Sequence, residues 1–549
     1  MAPKPASSGA RITSSFDPDW RFLKGDAPGA EQAAFNDAAW RKLDVPHDWS
    51  IEGPFDEKAP ARGAGAFLPS GVAWYRKHFT LPAAYAGHRV FIQFDGVMQN
   101  SDVWLNGHLL GHRPFGYVSF HYELTDSLQL GEGKENILAV RADTSAQPAS
   151  RWYAGAGIYR HVRLVVTNPV HLDYNGTFVT TPKIAADSAS VHVTSTIVNQ
   201  SAIAREVSLQ IALVAPDGQL VATAETPARP VAASQSSDFE ADLTVAQPQL
   251  WNLESPALYR AVARVRSAGA VADDRTVSFG IRDAHFDSAT GFWLNRKNFK
   301  LYGVCVHVDG GAFGAAAPLA VWEQRLTALR EIGVNAIRTA HNPPDPGFLD
   351  LCDRMGFLVM DELFDCWEVG KNPQDYHLFF DEWSKIDARD TVLRDRNHPS
   401  VILWSSGNEI HDTPKEEKAK QILAGLVQVF HENDPTRPVT QALFRPNTSH
   451  DYTNGLADLL DVIGTNYRDN ELLAAWRAKP GRKIIGTEQQ HNVQTWLALC
   501  DNPQHAGQFL WTGVDYLGES RQWPTVSSGA GLVDRTGAIK PMGRERQSW

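Results

Sequence analysis

The chain has 549 residues, and at roughly 100 to 200 residues per domain this length predicts several domains. Hydrophobic residues make up 43% and charged residues 21%, a composition that excludes a disordered chain. The 52 Lys and Arg against 63 Asp and Glu give a formal net charge of -11, which argues against nucleic acid or an anionic membrane as a partner.

The first half of the chain is predicted to form two antiparallel β-sandwiches. Over residues 1–168, short β-rich runs are separated by turn signals such as Asn106-Gly107. The predicted strands of this part are residues 74–79, 90–94, 101–105 and 137–142. Residues 169–283 have the size of an immunoglobulin-like sandwich, and the Ala, Pro and Ser-rich stretch 226–237 is predicted to be a loop within it. The strands marked there by period-two alternation are residues 191–198 and 207–214.

After residue 294 the pattern changes to alternating strands and helices. Eight apolar segments with intervening helical patterns occupy about 250 residues, as a (β/α)8 barrel requires, so a barrel is predicted over residues 284–549. The predicted strands are residues 300–307, 336–339, 358–361, 401–404, 439–443, 462–466, 483–486 and 507–511. The clearest helices are residues 320–332, 346–355, 382–396 and 415–431. In this fold the functional residues follow the carboxyl ends of the strands.

Polar residues that follow the predicted barrel strands are therefore the candidate site. In chain order they are His307, Arg338 with His341, Asp361 with Glu362, Asn408 with Glu409, Tyr467, Glu488 and Trp511. Glu409 and Glu488 end the fourth and seventh strands, so their side chains can converge across the barrel mouth. Paired carboxyl groups support glycoside hydrolysis, in which one protonates the leaving oxygen and the other attacks or activates water. A single Glu at a strand end is equally explained as a helix cap or ion-pair residue, and it is the whole set that favours hydrolysis.

Several segments along the chain are similar to one known family. FDGVMQNSDVWLNG at 94–107 and RWYAGAGIYR at 151–160 are similar to its jelly-roll sugar-binding domain, and the segments 250–259 and 279–282 resemble the end of its immunoglobulin-like domain. Its barrel signatures resemble IRTAHNPP at 337–344, RNHPS at 396–400 and GNE at 407–409. The family is glycoside hydrolase family 2, which contains β-galactosidases, β-glucuronidases and β-mannosidases. The resemblance covers essentially the whole chain and implies that residues 1–168 form a jelly roll.

The resemblance implies a retaining mechanism. Glu409 would be the general acid/base, and Glu488 would be the nucleophile that forms a glycosyl-enzyme. Such a pair should have carboxyl groups about 5 to 5.5 Å apart. Glu488 must stay ionised, so a cation such as Arg338 and a hydroxyl donor such as Tyr467 should lie beside it. Glu409 must hold its proton, which partial burial and the neighbouring negative charge would favour.

Further residues are expected to contact the sugar. Asn408 would hydrogen-bond its 2-hydroxyl, and His307 and His341 can donate to other hydroxyls. A lone strand-end His is otherwise a structural residue, and only its place among the other strand ends favours a binding role. Trp511 would form a flat apolar platform beneath the sugar, and its alternative is barrel core.

The sugar itself is predicted from two comparisons within the family. The segments 359–367, 375–377 and 511–519 are similar to the shorter bacterial β-galactosidases, in which Asp365, Trp367 and Asp515 would line the pocket; supporting or helix-capping roles fit these three equally well. The Asn-x-Lys that grips the carboxylate in family glucuronidases has no counterpart at 526–534, and Asn295-Arg-Lys297 lies before the first barrel strand, where it is interpreted as a turn.

The predicted function is therefore a retaining exo-β-glycosidase, most similar to β-galactosidases. The segment 488–495 after the nucleophile does not match that branch, which leaves β-glucuronidase, β-mannosidase and a non-catalytic carbohydrate-binding relative as alternatives. Carbohydrate is the expected partner, and neither a cofactor nor a metal is predicted. A homo-oligomer remains an open alternative.

The compartment is left open by the sequence. The four cysteines lack the short spacings of a zinc site or a disulfide framework. Residues 1–8 have no apolar core, so an intact signal peptide is not predicted, and no apolar run reaches the roughly 18 to 20 residues of a membrane span. A soluble protein is expected, with the periplasm or the exterior favoured over the cytoplasm. The resemblance implies that many members of the family continue into further β-domains after the position that corresponds to Trp549.

Overall fold

The computed structural model describes residues 10–549, which form two β-sandwiches followed by a closed barrel. Residues 1–8, for which no signal peptide is predicted, lie outside this described part of the chain. Among the helices of residues 10–549, none combines the length and the apolar character needed to cross a bilayer. The predicted fold class, jelly roll, immunoglobulin-like sandwich and (β/α)8 barrel, is confirmed.

The first sandwich, the jelly roll, packs a four-stranded sheet on a six-stranded sheet. Its strands are β1 (Arg11–Ser15), β2 (Trp20–Lys24), β3 (Arg41–Leu43), β4 (Val72–Thr80), β5 (Arg89–Phe94), β6 (Ser101–Leu105), β7 (His108–Arg113), β8 (Phe120–Glu123), β9 (Glu135–Asp143) and β10 (Val162–Thr167). The sheet orders are β1-β10-β5-β8 and β3-β2-β4-β9-β6-β7, with all neighbours antiparallel. Each of the four strands predicted here lies within an observed strand.

The second sandwich has the sheet orders β11-β12-β16 and β14-β13-β17-β18, with β15 added to β13. Its strands are β11 (Val170–Ile184), β12 (Ser188–Asn199), β13 (Arg205–Val214), β14 (Leu220–Glu225), β15 (Arg229–Val231), β16 (Gln235–Ala246), β17 (Tyr259–Ser267) and β18 (Ala270–Phe279). Alternate residues of β12 are buried, as the alternation in the sequence predicts. The prediction that residues 226–237 form a loop is wrong in part, because this segment contains β15. Strand β15 pairs with Arg205–Val207 at the edge of the sheet, where a proline such as Pro230 is tolerated.

A small sheet joins the second sandwich to the barrel. Its strands are β19 (Ala284–Asp287), β20 (Gly291–Leu294) and β21 (Lys297–Phe299). Asn295 and Arg296 join β20 to β21 with positive φ angles of 51° and 65°, so this segment is the turn that the sequence predicts. Phe286 and Phe292 pack with Leu301 and Phe509 in one buried cluster. The small sheet therefore closes the amino-terminal end of the barrel and leaves the other end for the site.

The barrel is a closed ring of eight parallel strands in chain order. They are β22 (Leu301–Val306), β23 (Ala336–Thr339), β24 (Leu358–Glu362), β25 (Val401–Asn408), β26 (Val439–Leu443), β27 (Ile463–Asn466), β28 (Ile484–Gln489) and β29 (His505–Leu510). The helices are α1 (Leu319–Glu331), α2 (Pro346–Met355), α3 (Phe380–Asp395), α4 (Glu416–Asn433), α5 (Asp469–Ala478), α6 (Val493–Cys500) and α7 (Pro541–Gln547). A two-stranded sheet of β30 (Tyr516–Leu517) and β31 (Ser527–Ser528) follows β29. All eight predicted strands and four predicted helices are confirmed to within a few residues.

Asp48 in a jelly-roll loop fastens this domain to the barrel. Its carboxylate accepts from the Tyr153 hydroxyl at 2.6 Å, from Ala156 N at 3.0 Å and from Ser50 N at 3.1 Å. It also accepts from Ala315 N at 2.8 Å, in the loop between β22 and α1. Asp48 is buried, so these donors replace the water that a carboxylate needs.

Replacing Asp48 by Asn should lower the free energy of unfolding by about 1–3 kcal/mol, because the amide nitrogen would face N–H donors and leave at least one of them unpaired. The urea midpoint, followed by Trp fluorescence, measures the change. Asp56→Asn is the matched control, because Asp56 is exposed and accepts only locally, from Lys58 N at 2.9 Å. Equal midpoints for the two variants would contradict an anchoring role.

Candidate active site

Glu488 lies at the carboxyl end of the barrel beside both partners that the sequence predicts for it. Arg338 of β23 donates from Nη1 to Glu488 Oε2 at 2.9 Å, and the Tyr467 hydroxyl donates to Oε1. Glu488 is 5% exposed, so these contacts are made in a mostly water-free environment. They fix the orientation of the carboxylate and supply the positive charge beside it.

Arg338 is fully buried and links Glu488 to two further strands. Its Nη2 donates to Glu362 Oε1 and Oε2 at 2.7 and 2.9 Å and to Asn408 Oδ1 at 2.8 Å. Glu362 also accepts from the Ser405 hydroxyl at 2.6 Å. Side chains alternate along a strand, so Met360 and Glu362 share the inner face of β24, where Met360 belongs to the barrel interior. Arg338 is thus the rigid centre of an interior hydrogen-bond network.

Glu409 joins the same network through Asn466. Asn466 Nδ2 donates to Asn408 Oδ1 at 3.0 Å and to Glu409 Oε1 at 3.2 Å. The Asn466 amide is itself oriented by the Thr487 hydroxyl, which donates to its Oδ1 at 2.7 Å. Sequence reasoning missed Asn466, although it ends the sixth barrel strand directly before Tyr467. The network therefore connects the two carboxyl groups across the barrel mouth.

Two of the predicted site residues have left-handed backbone conformations. Glu409 has φ 44° and Tyr467 has φ 57°, and both follow directly after a barrel strand. Such angles are uncommon outside glycine and persist when surrounding contacts hold them. Here Glu409 N donates to Ala442 O at 2.9 Å and Tyr467 N donates to Glu488 O at 2.7 Å. Backbone hydrogen bonds to the neighbouring strands thus fix both turns.

The surroundings of Glu488 act on its ionisation in opposite directions. Burial raises its pKa most, the Arg338 guanidinium lowers it, and the negative charge of Glu409 raises it again. The Tyr467 hydroxyl lowers it further by hydrogen bonding. Together these effects raise the pKa of Glu488 to about 7. The carboxyl group therefore exchanges its proton near neutral pH.

His307, His341 and Trp511 form an aromatic group beside these carboxylates. The His341 and Trp511 rings are parallel, with centroids 5.2 Å apart, and His341 Nδ1 lies 2.7 Å from Glu362 Oε1. Burial lowers the pKa of His341 well below its ordinary value, and it lowers that of His307 to about 3. Both imidazoles are therefore neutral and can serve as single donors and acceptors. Trp511 is only half-buried, as a binding platform requires.

The jelly roll contributes two side chains to this region of the barrel. Arg151 donates to Asp365 from Nε at 3.0 Å and from Nη2 at 2.8 Å, and to Glu519 Oε1 at 2.8 Å. Trp152 stacks on His307, with ring centroids 4.8 Å apart. Sequence reasoning used residues 151–160 only as a sign of the jelly roll and missed this role, since no local pattern indicates a contact 214 residues away.

Asp365 lies beside Asn408 and Lys371. Its Oδ1 accepts from Lys371 Nζ at 2.8 Å and from Asn408 Nδ2 at 3.0 Å, and Lys371 Nζ also donates to Asn408 O at 2.9 Å. Burial acts to raise the pKa of Asp365, but the Arg151 and Lys371 cations outweigh it and hold that pKa below its ordinary value. Asp365 is therefore a permanent negative charge that orients the Asn408 amide.

Three of the candidate residues lie outside the hydrogen-bond network of the site. Trp367 is fully buried in the core behind the site, where its Nε1 donates to Ser406 O at 3.1 Å, which favours a supporting role over a place on the pocket lining. Asp515 accepts from Gly531 N at 2.7 Å and from Lys540 Nζ at 2.8 Å, so it organises the loop after β29 instead of the pocket. Asp361 lies on the outer face of β24, where burial and the neighbouring Asp395 of α3 raise its pKa.

Three family models match successive parts of the chain. The sugar binding domain of the glycosyl hydrolases family 2 matches residues 14–169, the model named glycosyl hydrolases family 2 matches residues 170–282, and the TIM barrel domain of the same family matches residues 288–512. The matches follow the same order as the jelly roll, the second sandwich and the barrel.

Individual relatives agree with these matches. The chain is 39% identical to the beta-galactosidase BoGH2A of Bacteroides ovatus, over 96% of this chain and 71% of that protein. It is 34% identical to a putative beta-glucuronidase of Formosa agariphila, over 93% of this chain and 52% of that protein. Among solved structures, a glycosyl hydrolase family 2 member of Bacteroides cellulosilyticus aligns with a TM-score of 0.93 at 36% identity, covering 97% of this chain and 70% of that one.

Proposed function

The chain belongs to glycoside hydrolase family 2, and from this premise we propose that it is a retaining exo-β-glycosidase that releases terminal β-linked galactose. Glu488 is the proposed nucleophile and Glu409 the proposed acid/base. The observation that carries this proposal is the hydrogen-bond network that brings carboxyl groups from the fourth and seventh barrel strands together with Arg338 at the barrel mouth.

The proposed reaction has two displacement steps. First, Glu488 Oε attacks the anomeric carbon while Glu409 donates its proton to the glycosidic oxygen, so that a glycosyl ester forms and the aglycone leaves as an alcohol. Second, ionised Glu409 takes a proton from water, whose oxygen attacks the same carbon and breaks the ester. The sugar leaves with its β-configuration retained, and both carboxyl groups return to their starting states.

Asn408 is the proposed ligand of the sugar 2-hydroxyl. Its Oδ1 accepts from Arg338 and Asn466, which assigns its amide nitrogen to the opposite side, where one N–H meets Asp365. The second N–H of that nitrogen is available to substrate. A hydrogen bond to the 2-hydroxyl strengthens as the oxocarbenium-like transition state forms, so a fixed amide lowers the barrier without reorganisation. His307 and His341 are the proposed partners of other hydroxyls, and Trp511 is the proposed platform.

A neutral sugar fits the charges of the site better than a glucuronide. Arg338 is paired with two carboxylates, Arg151 with two, and Lys371 with Asp365. A glucuronate carboxylate would meet no unopposed cation among these three, and burying it there would be costly. The relative from Bacteroides ovatus named beta-galactosidase supports the same choice. The relative from Formosa agariphila is named a putative beta-glucuronidase, so the sugar preference must be measured.

A panel of p-nitrophenyl glycosides tests the proposal. We expect kcat/KM for the β-galactoside to exceed that for the β-glucuronide by at least about 100-fold, the difference that an unpaired buried charge produces. Cleavage of the glucoside, mannoside or glucuronide with the galactoside untouched would reject the galactose assignment. NMR of the first product formed checks the stereochemistry, and an initial α-anomer would reject retention.

The pH profile should report the ionisation of Glu488. Only its carboxylate can attack, so the acidic limb of kcat/KM should have an apparent pKa near 7, with a fall of about tenfold per pH unit below it. Tyr467→Phe removes a hydrogen bond to the ionised form, so the acidic limb should move to higher pH by about 1 unit. An acidic limb unchanged in Tyr467→Phe would show that this limb belongs to another group.

A further inference from the structure

A polar cavity lies where the jelly roll, the second sandwich and the barrel meet. Its volume is about 520 Å³, within the range of roughly 300–1,000 Å³ that small-molecule sites occupy. All three domains contribute to its wall, with Arg163 from β10, Arg275 from β18 and Arg394 from α3. Neither Glu409 nor Glu488 lines it, so the cavity is separate from the candidate active site.

Arg275 and Arg163 present nitrogen atoms to solvent that donate to no atom of residues 10–549. Arg275 makes a single hydrogen bond, from Nη2 to Asn175 Oδ1 at 3.0 Å, and its Nε and Nη1 are free and open to solvent. Arg163 holds both oxygens of Asp95 through Nη1 alone, at 2.7 Å each, which leaves its Nε and Nη2 free and open in the same way. The Tyr174 hydroxyl is a further donor that solvent reaches and that has no partner in this part of the chain. The wall therefore offers free donors from both the jelly roll and the second sandwich.

These donors lie close to one another. Burial and the Asp95 carboxylate raise the pKa of Tyr174 to about 12, whereas the cations of Arg275, Arg394 and Arg163 act to lower it. A charge alters the pKa of a hydroxyl group only over a short distance. Guanidinium groups from three domains therefore lie around the Tyr174 hydroxyl.

Positive charge exceeds negative charge on this wall. Its cationic side chains are Arg11, Arg163, Arg275, Arg394 and His398, and its carboxylates are Asp95 and Asp274. Burial acts to lower the pKa of His398, but the Asp353 carboxylate outweighs it and raises that pKa to about 9, so this imidazole is charged at neutral pH. Carboxylates that do not line the cavity hold three of these cations from behind, namely Asp273, Asp395 and Asp353.

Arg275 is the one cation of this wall that has no carboxylate partner among residues 10–549. Burial and the neighbouring Arg11 cation lower its pKa, so its charge is incompletely balanced by the protein. A charge removed from water costs free energy unless it is paired, and an anion in the cavity would supply the missing partner.

The free donors specify the chemistry of the ligand. Charged N–H groups and a hydroxyl group around one space match a tetrahedral oxyanion, whose oxygens all accept hydrogen bonds. A neutral sugar fits less well because it also needs acceptors, and the oxygens of Asp95 and the Asn175 Oδ1 already accept from arginines. Asp274 is the one carboxylate of the wall that would oppose an anion.

From these observations we propose that this cavity binds a phosphate or sulfate ion, held by Arg275, Arg163 and the Tyr174 hydroxyl. The ion joins side chains of the two sandwiches and lies beside Arg394 of the barrel, so its binding stabilises the packing of the three domains. The site shares no residue with the proposed catalytic centre, so it is independent of which sugar the enzyme cleaves.

Isothermal titration calorimetry of the full chain with sodium phosphate, at constant ionic strength, tests the proposal. Tyr174→Phe removes only a hydroxyl group that donates to no atom of residues 10–549, so it should fold like the parent and bind phosphate about threefold or more weakly. Arg275→Gln should weaken binding at least about tenfold, the loss expected for hydrogen bonds to a charged group. Arg260→Gln is the matched control, because Arg260 is exposed on β17 and does not line the cavity; it should bind phosphate as the parent chain does.

Asp274→Asn separates an anion from a neutral ligand. It removes the opposing charge, so phosphate should bind at least as tightly as to the parent, whereas a ligand that used this carboxylate as an acceptor would bind more weakly. In the parent chain, saturating sulfate should abolish the heat of phosphate binding, and saturating galactose should leave it unchanged. These measurements follow binding alone, so their outcome is separate from that of the glycosidase assays.

Four results would each overturn the proposal. They are no binding of either ion to the parent chain, displacement of phosphate by galactose but not by sulfate, weaker phosphate binding by Asp274→Asn, and folded Tyr174→Phe and Arg275→Gln variants that both bind phosphate like the parent.

Discussion

Glu488→Gln is expected to lower kcat for an aryl β-galactoside by at least about 10⁴-fold, because an amide can neither attack the anomeric carbon nor leave as a carboxylate. The amide oxygen can still accept from Arg338, and the amide nitrogen can donate to the Tyr467 hydroxyl, so the surrounding network should persist. Steady-state kinetics with the nitrophenyl substrate measure the loss. Activity within about tenfold of the parent would remove Glu488 from the mechanism.

The stability of Glu488→Gln shows whether a loss of activity comes from the missing nucleophile or from a damaged fold. The folded-state pKa of Glu488 is about 7, above its ordinary value of 4.5, so its protonated form stabilises the fold below pH 4.5 and this contribution is lost as the pH rises through 7. Gln does not titrate. Thermal unfolding should therefore show Glu488→Gln equal to or above the parent at pH 8, and a lower melting temperature there would indicate that the substitution damages the fold.

Glu409→Gln is the companion control for the assignment of roles. It should slow substrates with poor leaving groups more than those with activated ones, because only the former need a proton on the departing oxygen. Added azide, which needs no general base, should restore turnover and give a β-glycosyl azide. Loss of activity that does not depend on the leaving group and is not restored by azide would contradict the acid/base role.

Arg338→Met is expected to have the largest effect on stability, a loss of about 3–5 kcal/mol, because it leaves the buried carboxylates of Glu362 and Glu488 without their cation. The pKa of both carboxyl groups should rise, since burial already raises them and the Arg338 cation is what lowers them. Urea unfolding and the acidic limb of kcat/KM measure the two effects. Residual activity should appear only at higher pH.

Arg394→Met is the matched control for a buried ion pair outside the site. Arg394 pairs with the buried Asp395 at 2.6 Å, so its loss should also destabilise the chain. The acidic limb should remain where it is in the parent, because Arg394 donates to Asp395, to the Ser119 hydroxyl and to Pro344 O, and not to Glu488 or its partners. Arg338→Lys should fall between the parent and Arg338→Met, since an ammonium group cannot make the bidentate contacts of a guanidinium. If both Met variants moved the limb equally, Arg338 would have no specific role in the ionisation of Glu488.

The barrel strands could be predicted from the sequence because of how they are buried. All five residues of β24 and all eight of β25 are buried, so each strand is a nearly continuous apolar run that ends in polar residues. Glu409, Glu488 and Tyr467 were found at those ends for the same reason. The short helices α5 and α6 were given no bounds, because neither combines the Pro at the first turn and the Gly after the last turn that mark α2, a helix as short as α5.

The contacts between domains could not be predicted in the same way. Trp367 and Trp511 both follow barrel strands, yet one is fully buried and the other is half-buried, and only packing from α3 and the jelly roll distinguishes them. Arg151 meets Asp365 across 214 residues of chain, and neither residue carries a local signal for the other. Asn466 could have been predicted, because it stands at a strand end, but it is an uncharged amide directly before Tyr467 and no sequence pattern singles it out.

Through Arg151 and Trp152, the active site in the barrel depends on the jelly roll. A barrel produced alone would lack the guanidinium that restrains Asp365 and the indole that covers His307, so excising it should give an incomplete pocket. Conversely, exchanging only the 151–152 loop between relatives would alter the pocket without touching a barrel residue. In chains built this way, substrate preference can drift through changes in a domain that performs no chemistry.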